Sequence, residues 1–487
     1  MQTYQQYIDG RWISSSSGTT FESLDPATEK PIGRFQQGNE KDVQKAVDAA
    51  KKAFPLWSDI PAPKRGEILF DVAHLLKKNK ERLARIVTIE MGKVLKEGRG
   101  DVQEAIDVFE YVAGEGRRLF GHTTPSELKN KFCMTMRAPV GVCGLITPWN
   151  FPIAIPAWKL APALICGNTV VFKPSSDTPL CAIELVKILE EAGVPKGVVN
   201  LVTGPGGSVG RSIITHKDIR AVSFTGHRST GDFILRNAGI KKIGLEMGGK
   251  NPIIIMDDAD LDLAIEGVLW AGFGTSGQRC TAASRVLVHH TIQKEFENKL
   301  LRRIEKLRLG SGLKSTTDIG PLINKQAVEK VDRYTHIGKK EATLRCGGTP
   351  AKINGHGFFY KPTLFTNVKP DARIAQEEIF GPTVSVITVK DLNNAIHVAN
   401  NIKYGLSSSI YTANINAAFR AMEKIEAGIV YINAPTIGAE VHLPFGGVKG
   451  TGNGTREAGI EGIHEFSETK VVYIDYSHHL QKAQGID

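Results

Sequence analysis

The sequence predicts an α/β fold, and three observations carry this prediction. Short apolar segments alternate with helical segments from residue 140 onward, which is typical of mainly parallel sheets covered by helices on both faces. The chain has 487 residues, enough for roughly two to four domains. Hydrophobic residues make up 41% and charged residues 23% of the chain, as in ordinary globular proteins.

The segment before residue 120 is predicted to form a short hairpin region followed by helices. In residues 39–54 the apolar side chains follow helical spacing, and Asn39 is a suitable N-cap. Residues 64–90 and 101–119 show similar amphipathic patterns. Helices are therefore expected across most of this segment.

Two α/β runs follow this helical segment. The first run is predicted to contain strands at 140–148, 168–174, 197–204, 221–226 and 243–249, with helices at 154–166, from Thr178 onward and at 228–238. The second is predicted to contain strands at 251–258, 284–290, 383–389, 408–412 and 428–433, with helices at 260–273, 292–307, 392–401 and 415–427. Segments 131–141 and 470–476 are predicted to be further strands.

Composition argues against several classes of function. The net charge is +10, but the Lys and Arg residues are scattered among acids, so no nucleic-acid partner is expected. No apolar run approaches the ~20 residues of a membrane helix, and the N-terminal stretch lacks a secretory signal pattern. The six cysteines show no C-x-x-C pair and no metal-ligand spacing with His. We therefore expect no disulfide framework, no metal and a reducing, cytoplasmic location.

Three residues are candidates for chemistry, each with a plainer alternative. Cys280 lies among small residues in FGTSGQRCTAASR, as a nucleophile or as one ordinary thiol of six. Glu246 ends an apolar strand before two glycines, as a general base in a crevice or as a surface glutamate at a turn. Asn150 in PWNFP is either an amide donor to an oxyanion or a turn residue.

Three successive strand ends carry residues that suit a nucleotide. Lys173 stands at a strand end before a helix start, where its ammonium and the helix N–H groups suit phosphate or ribose. FTGHRSTG and TGPGGSVG are glycine turns that permit close backbone approach. Neither has the strict G-x-G-x-x-G spacing. Each turn alone is weak, but together they favour a nucleotide site.

Taken together, seven motifs in order along the chain resemble the aldehyde dehydrogenase superfamily. They are PWNFP, the Lys of FKPS, FTG-x4-G, LEMGGK, GQRCTA, EEIFGP and PFGGVKGTG. The resemblance implies a Rossmann-like cofactor domain, an α/β catalytic domain and a β oligomerisation arm. It places the cofactor domain at 1–122 and 140–247, the catalytic domain at 248–464, and the arm at 123–139 and 465–487. It also implies a homodimer or homotetramer in which the two arm segments pair.

The resemblance assigns a role to each candidate. Cys280 would be the nucleophile, Glu246 the base that activates water, and Asn150 the side-chain half of the oxyanion hole, with the Cys280 N–H as the other half. Because members that pass the acyl group to coenzyme A typically lack this glutamate, its presence favours hydrolysis to a free acid. A non-catalytic binding protein on the same fold is the competing class.

The resemblance also implies the cofactor and substrate contacts. Lys173 would hold the adenosine ribose, Gly226 and Gly231 would frame the pyrophosphate turn, and Glu378 with Phe380 would meet the nicotinamide ribose. The further cofactor positions are Ile146, Thr147, Pro148, Trp149, Ser175, Ser176, Gly206, Gly210, Phe224, Thr225, Ser229 and Met247. Phe151, Trp158 and Phe445 would line the substrate tunnel.

The sequence departs from the family pattern at three places. Ser176 stands where members that prefer NAD often carry a glutamate, so NADP is expected to be tolerated and preferred, although Asp177 keeps the choice of NAD open. His227 replaces a small hydroxyl residue, and GTGNGTREAG is longer than the usual tail motif.

Residues 433–447 resemble the semialdehyde branch, which oxidises 2-oxoglutarate or succinic semialdehyde. Trp158 stands where some succinic-semialdehyde enzymes carry an arginine, so glyceraldehyde remains an alternative. GTSGQRCTA likewise resembles the non-phosphorylating glyceraldehyde-3-phosphate branch.

Overall fold

The computed structural model describes residues 1–484. Its α-helices are α1 (Glu40–Asp59), α2 (Ala62–Lys78), α3 (Lys80–Met91), α4 (Leu95–Glu115), α5 (Ala154–Ile165), α6 (Pro179–Glu191), α7 (Arg211–Thr215), α8 (Arg228–Asn237), α9 (Leu261–Phe273), α10 (Gln293–Ile304), α11 (Lys325–Glu341), α12 (Arg373–Gln376), α13 (Leu392–Asn400), α14 (Ile415–Lys424) and α15 (Gly459–Glu465).

The strands are β1 (Thr3–Tyr4), β2 (Gln6–Ile8), β3 (Arg11–Ile13), β4 (Thr20–Leu24), β5 (Pro31–Gln36), β6 (Thr123–Pro125), β7 (Lys131–Pro139), β8 (Val142–Ile146), β9 (Thr169–Lys173), β10 (Val199–Leu201), β11 (Ala221–Gly226), β12 (Lys242–Met247), β13 (Asn251–Ile255), β14 (Ala283–His289), β15 (Thr343–Cys346), β16 (Pro350–Ile353), β17 (His356–Tyr360), β18 (Thr363–Thr366), β19 (Thr383–Val389), β20 (Tyr404–Gly405), β21 (Ser407–Tyr411), β22 (Ile429–Ile432), β23 (Val448–Lys449) and β24 (Ser467–Asp475).

The first large sheet brings the carboxyl ends of five parallel strands to one edge. Its order is β12-β11-β8-β9-β10-β2-β3, in which only the N-terminal hairpin β2–β3 runs antiparallel. Ile146 at the end of β8 is in register with Lys173 at the end of β9. Thr225 and Glu246 pair in the same way at the ends of β11 and β12. A crevice outside such an edge is the usual ligand site of an open α/β sheet.

The second large sheet begins where the first ends. Its order is β15-β18-β19-β14-β13-β21-β22, and all its neighbouring pairs except β15–β18 are parallel. Only the turn 248–250 separates the end of β12 from the start of β13. Cys280 precedes β14, the neighbour of β13. The amino edge of the second sheet therefore carries Cys280 close to the carboxyl edge of the first sheet, which carries Glu246.

Helices cover both faces of each large sheet, as predicted. Successive strand residues point to opposite faces, and Val170 and Val171 of β9 accordingly belong to two different buried clusters. Ile253 and Ile254 of β13 are divided in the same way. Both sheets are thus buried on two sides, which explains why their strands read as unbroken apolar runs rather than alternating ones.

A third sheet joins two distant parts of the chain. Strand β24 pairs antiparallel with β7 over nine residues, from Ser467 opposite Pro139 to Asp475 opposite Lys131, and β6 extends the ribbon. The predicted pairing of these segments is confirmed. Residues 485–487 of the predicted arm lie outside the described residues, and the role of the arm in oligomerisation stays a prediction.

The structure divides one amphipathic segment into two helices. Residues 64–90 belong to α2 and α3, which meet at Asn79. Its side-chain amide donates to the carbonyl of Leu75 at 2.9 Å, and this caps the end of α2. In the described range of residues 1–484, no helix combines the length and apolar character that a membrane crossing needs.

Candidate active site

Cys280 follows a tight turn whose backbone is left-handed. Thr275 and Ser276 have φ of 51° and 56°, and Gly277 follows at 68°. Only the glycine adopts this region freely, and each of the other two costs about 1–3 kcal/mol. Five small residues around Cys280 are buried and line neither cavity at the cysteine, namely Thr275, Ser276, Gly277, Ala282 and Ala283. The free volume at Cys280 is instead provided by two cavities, both of which Cys280 lines.

Two cavities share the Cys280 side chain. One, of about 220 Å³, is lined on the side of the first sheet by Asn150, Met247, Glu378 and Phe380. The other, of about 140 Å³, is lined by Glu246 and by the three predicted tunnel residues Phe151, Trp158 and Phe445. Thr225 and Met247 also line both cavities, so two bound molecules would meet in the space between these residues and Cys280.

Cys280 and Glu246 face each other as a protonated thiol and a buried acid. Burial, with the charges of Glu246 and Glu378, raises the pKa of Cys280 to about 12. Burial, with the charge of Glu457, raises the pKa of Glu246 well above its ordinary value. Among residues 1–484 neither Glu246 oxygen has a hydrogen-bond partner. Once it is ionised, such a carboxylate is free to take a proton from a bound molecule.

Asn150 is held against the loop of Cys280. Its Nδ2 donates to the carbonyl oxygen of Gln278 at 3.2 Å, two residues before the cysteine. The Asn150 side chain lines the same cavity as the sulfur. The structure thus brings together all three residues for which the sequence predicts catalytic roles.

A wide cavity of about 640 Å³ lies along the carboxyl edge of the first sheet. The predicted cofactor residues that line it are Ile146, Thr147, Pro148, Trp149, Lys173, Ser175, Ser176, Gly206, Gly210, Phe224, Thr225, Gly226 and Ser229. Gly206 has open space where a Cβ would stand, and a Cβ at Gly210 would lie 3.7 Å from Lys173 Cδ. Thr147 and Thr225 each have a buried hydroxyl without a partner in the described part of the chain.

Gly231 lies away from the cofactor cavity. It is buried, and a Cβ at this position would approach the Met247 sulfur to 2.3 Å. Its observed contact is therefore close packing of α8 on β12. The predicted role of Gly231 in framing a pyrophosphate turn stays a prediction.

Position 227 departs from the family pattern without loss of the helix cap. His227 is the N-cap of α8, and its Nδ1 accepts the Ser229 N–H at 3.2 Å. Burial, followed by the charges of Lys330 and Lys403, lowers the pKa of His227. The neutral imidazole therefore does what a Ser or Thr hydroxyl ordinarily does at an N-cap.

Glu378 and Phe380 lie beside the turn between the two sheets. The Gly249 N–H donates to Glu378 Oε1 at 3.0 Å, and a Cβ at Gly248 would clash with the same carboxylate at 2.3 Å. Phe380, at φ 62°, meets the Trp149 ring edge to face at 5.5 Å. Gly248 of LEMGGK is therefore required by the close approach of Glu378, whereas a Cβ at Gly249 would lie 2.7 Å from the Cys280 carbonyl oxygen.

The tunnel is lined by aromatic side chains and by ionisable ones. Trp158 and Phe445 meet edge to face at 4.9 Å. Phe151 lies under the Lys93 ammonium, 3.7 Å from the ring centre. Glu104 and Arg279 line the same cavity. Burial raises the pKa of Glu104 to about 8.

Sequence reasoning missed several residues of the site. Lys330 lines the cavity on the Glu378 side and comes from α11, whose amphipathic pattern and N-cap Asn324 were the available signals. Glu457 forms a buried ion pair with Lys159, which also donates to Ser223 at 2.8 Å. The tail motif that contains Glu457 packs against β12 at Glu246. Nothing in the local sequence marked Glu104. Within residues 1–484 no group of three His, Cys, Asp or Glu is arranged to hold a metal ion.

Comparison with known proteins agrees with this geometry. The profile of the aldehyde dehydrogenase family matches residues 12–472. An alpha-ketoglutaric semialdehyde dehydrogenase from Bacillus subtilis is 41% identical over 97% of this chain and 98% of its own length. A betaine aldehyde dehydrogenase from Staphylococcus aureus, solved with NAD⁺, has a TM-score of 0.96 and 37% identity, covering 99% of this chain and 97% of its own.

A second solved structure points to the other nicotinamide cofactor. An Escherichia coli NADP-dependent enzyme has a TM-score of 0.94 and 36% identity, and the match covers 97% of this chain and 98% of its own. The family match spans both large sheets and all three candidate residues. This chain therefore belongs to the aldehyde dehydrogenase family and is an oxidoreductase that oxidises aldehydes with NAD(P).

Proposed function

We propose that this enzyme oxidises a small semialdehyde to its carboxylic acid through a thioester on Cys280. The observation that carries the proposal is that Thr225, Met247 and Cys280 line both the tunnel and the cavity on the Glu378 side, and of these three only Cys280 is a thiol nucleophile. The aldehyde enters from the tunnel, and the cofactor occupies the sheet-edge cavities. The residues that catalyse the reaction are Cys280, Glu246 and Asn150.

Each step has a residue suited to it. Cys280 attacks the carbonyl carbon as the thiolate, after its proton has passed to solvent water. The resulting oxyanion is bound by Asn150 Nδ2 and the Cys280 N–H, an interaction worth about 3–4 kcal/mol in comparable enzymes. A nicotinamide ring held in the sheet-edge cavity would supply the acceptor for the hydride that leaves the substrate carbon. Glu246 then removes a proton from water, which attacks the thioester and frees the Cys280 sulfur.

The residues at the sheet edge fit a dinucleotide. Lys173 and the open glycine backbone face the cavity at one end, and Glu378 lies at the end nearest Cys280. Burial lowers the pKa of Lys173 to about 8. Two unpaired threonine hydroxyls supply further hydrogen bonds. We assign the adenosine end to Lys173 and the nicotinamide ribose to Glu378.

NADP is the preferred cofactor in this proposal. Ser176 donates its hydroxyl to the Gly204 carbonyl at 3.0 Å and brings no charge to the cavity. Arg211 lines the same cavity. Asp177 also faces it, but its carboxylate accepts from Asn324 at 3.0 Å and from Ser175 at 3.2 Å. A 2′-phosphate therefore meets two cations and a carboxylate that is already engaged.

The semialdehyde class rests on the relatives and on the tunnel. The relative from Bacillus subtilis is named for alpha-ketoglutaric semialdehyde. Here Arg279 and Glu104 contribute polar side chains to the lining of the narrow tunnel. A short substrate with a polar far end suits such a tunnel.

The remaining proposals concern organisation. We take 1–122 and 140–247 as the cofactor domain and 248–464 as the catalytic domain. The ribbon of β7 and β24 forms the arm of a homodimer or homotetramer, because Val471, Tyr473 and Ile474 leave apolar side chains exposed on it. All six cysteines are free, which is in keeping with the cytoplasm.

A substrate panel tests the function. The purified enzyme is given 2-oxoglutarate semialdehyde, succinic semialdehyde, glyceraldehyde, glyceraldehyde 3-phosphate or betaine aldehyde, with each cofactor, and reduced nicotinamide is followed by absorbance. The highest kcat/KM is expected for a semialdehyde with NADP⁺. A preference for betaine aldehyde or glyceraldehyde would overturn the assignment of a semialdehyde substrate. A large preference for NAD⁺ would overturn the assignment of NADP as the preferred cofactor.

A further inference from the structure

The first two turns of α4 contact both loops of the catalytic centre from behind. Glu97 and Asp101 are four residues apart, so their side chains leave the same face of the helix. Glu97 reaches the loop of Cys280, and Asp101 reaches the start of α5, which follows the loop of Asn150. Neither carboxylate lines the two cavities that meet at Cys280.

Glu97 holds the left-handed turn before the cysteine. Its Oε1 accepts the Thr275 N–H at 2.9 Å and a guanidinium N–H of Arg279 at 3.2 Å. Arg279 in turn donates through Nε to Thr275 Oγ1 at 2.9 Å. The side chains of Glu97 and Arg279 are only 10% and 12% exposed, so water screens this pair weakly. These contacts offset the strain of a threonine at φ 51°.

Asp101 holds the first turn of α5, which has no capping side chain of its own. Its Oδ1 accepts the Ala154 N–H at 2.8 Å and the Ile153 N–H at 3.3 Å. Its Oδ2 accepts from the Lys93 ammonium at 2.9 Å, and both of these side chains are fully buried. Asp101 therefore supplies, from another helix, the acceptor that the start of a helix needs.

The two loops also touch each other, through the Asn150 amide and the Gln278 carbonyl. We propose that Glu97 and Asp101 are positioning residues that fix the Asn150 loop and the Cys280 loop to one rigid helix and so keep the two halves of the oxyanion hole in register. The inference rests on the proposed function, because it needs Asn150 and the Cys280 N–H to share one oxyanion. An i, i+4 pair on a helix suits this task, since the helix fixes the distance between its own carboxylates.

The Glu97 half is tested by turnover and by thiol chemistry. Glu97→Ala should lower kcat about tenfold or more. It should also change the rate at which iodoacetamide alkylates Cys280, while the cofactor KM stays within about twofold of wild type. Glu97→Gln keeps an oxygen for the Thr275 N–H and should recover most of both. Glu81→Ala is the control, because it removes a two-bonded ion pair with Arg99 on the outer side of α4. Wild-type kcat and alkylation in Glu97→Ala would overturn the inference.

The role of Asp101 is tested by comparing two double variants. Both replace Lys93, so that neither leaves a buried ammonium without a partner. Lys93→Met/Asp101→Asn keeps an oxygen for the α5 N–H groups, and Lys93→Met/Asp101→Ala does not. The second is expected to have about tenfold lower kcat than the first. In the background of Asn150→Ala the same comparison should give less than about twofold, because the acceptor acts through Asn150. Equal losses in both backgrounds would mean general damage and would refute the positioning role.

Alkylation also separates this inference from the proposed function. If wild-type enzyme with alkylated Cys280 still oxidises aldehydes, the thioester mechanism fails. If alkylation abolishes turnover but the Glu97 and Asp101 variants behave as wild type, the mechanism stands and only the positioning role fails.

Discussion

The cavity along the first sheet and the centre around Cys280 are built in different ways. The first is formed by backbone and short side chains at the ends of neighbouring strands β8, β9 and β11, all within one sheet. The second is assembled from α4, α5, the left-handed turn 275–277 and the tail that packs on Glu246. The first is wide and locally built, so single changes there should have graded effects. The second is buried, strained and interlocked, so single changes there should be severe.

The largest expected effect is at Cys280. Cys280→Ser should lower kcat by about 10⁴-fold or more, because the serine hydroxyl is a far weaker nucleophile at this site. Cofactor affinity, measured by nucleotide titration of protein fluorescence, should change by less than about twofold, because the sulfur lies at the edge of the nucleotide cavity. Near-normal turnover would refute the nucleophile assignment. Loss of cofactor binding together with turnover would show that the nucleotide cavity and the centre around Cys280 are not independent.

Glu246 should be needed only after the thioester has formed. Glu246→Gln should retain the first burst of reduced nicotinamide in stopped flow but lower steady turnover about 10²-fold, because water activation needs a base. Since burial raises the pKa of Glu246, the base form appears only as pH rises, and wild-type steady turnover should rise with pH. The variant should lose this rise. If Glu246→Gln gives no burst, Glu246 is needed before the hydride leaves the substrate.

The same contrast explains what the sequence predicts and what it misses. Lys173, Thr225 and Gly226 are found because strand ends next to glycine turns are local signals. Asp101 and Glu104 lie in an ordinary amphipathic segment and Glu97 lies just before it, and the catalytic-loop partners of Glu97 and Asp101 are between 52 and 182 residues away along the chain. The break at Asn79 was missed because the apolar pattern continues through it. Contacts made across the fold leave no periodic trace in the sequence of either partner.

Ser176 should show the graded behaviour of the nucleotide cavity. Ser176→Glu should raise the KM for NADP⁺ about ten- to hundredfold and change that for NAD⁺ little, because only NADP⁺ carries a 2′-phosphate to be repelled. Ser208→Glu is a matched control, since it adds the same charge to an exposed position of the nearby turn. Initial rates with both cofactors decide the outcome. If Ser176→Glu raises the KM of both cofactors equally, Ser176 does not lie at the site of the 2′-phosphate.

The smallest effect should come from Glu104, an acid in the lining of the tunnel. Burial, followed by the charge of Asp101, raises its pKa to about 8. The carboxyl group is therefore neutral below that pH and negative above it. An anionic semialdehyde should bind more weakly above pH 8, with KM rising about three- to tenfold, whereas the KM of neutral propanal should stay flat.

Glu104→Gln should abolish this rise, and Glu110→Gln, an exposed residue on the same helix, should keep it. KM is measured from pH 6.5 to 9 for both aldehydes. If the rise persists in Glu104→Gln, another group of the tunnel titrates and Glu104 does not face the substrate. If it disappears, one buried acid sets the pH limit for charged substrates. The tunnel would then be sensitive to substitution around Cys280 but tolerant of substitution at Glu104. In that case the contrast between the two regions holds only for the few residues around Cys280.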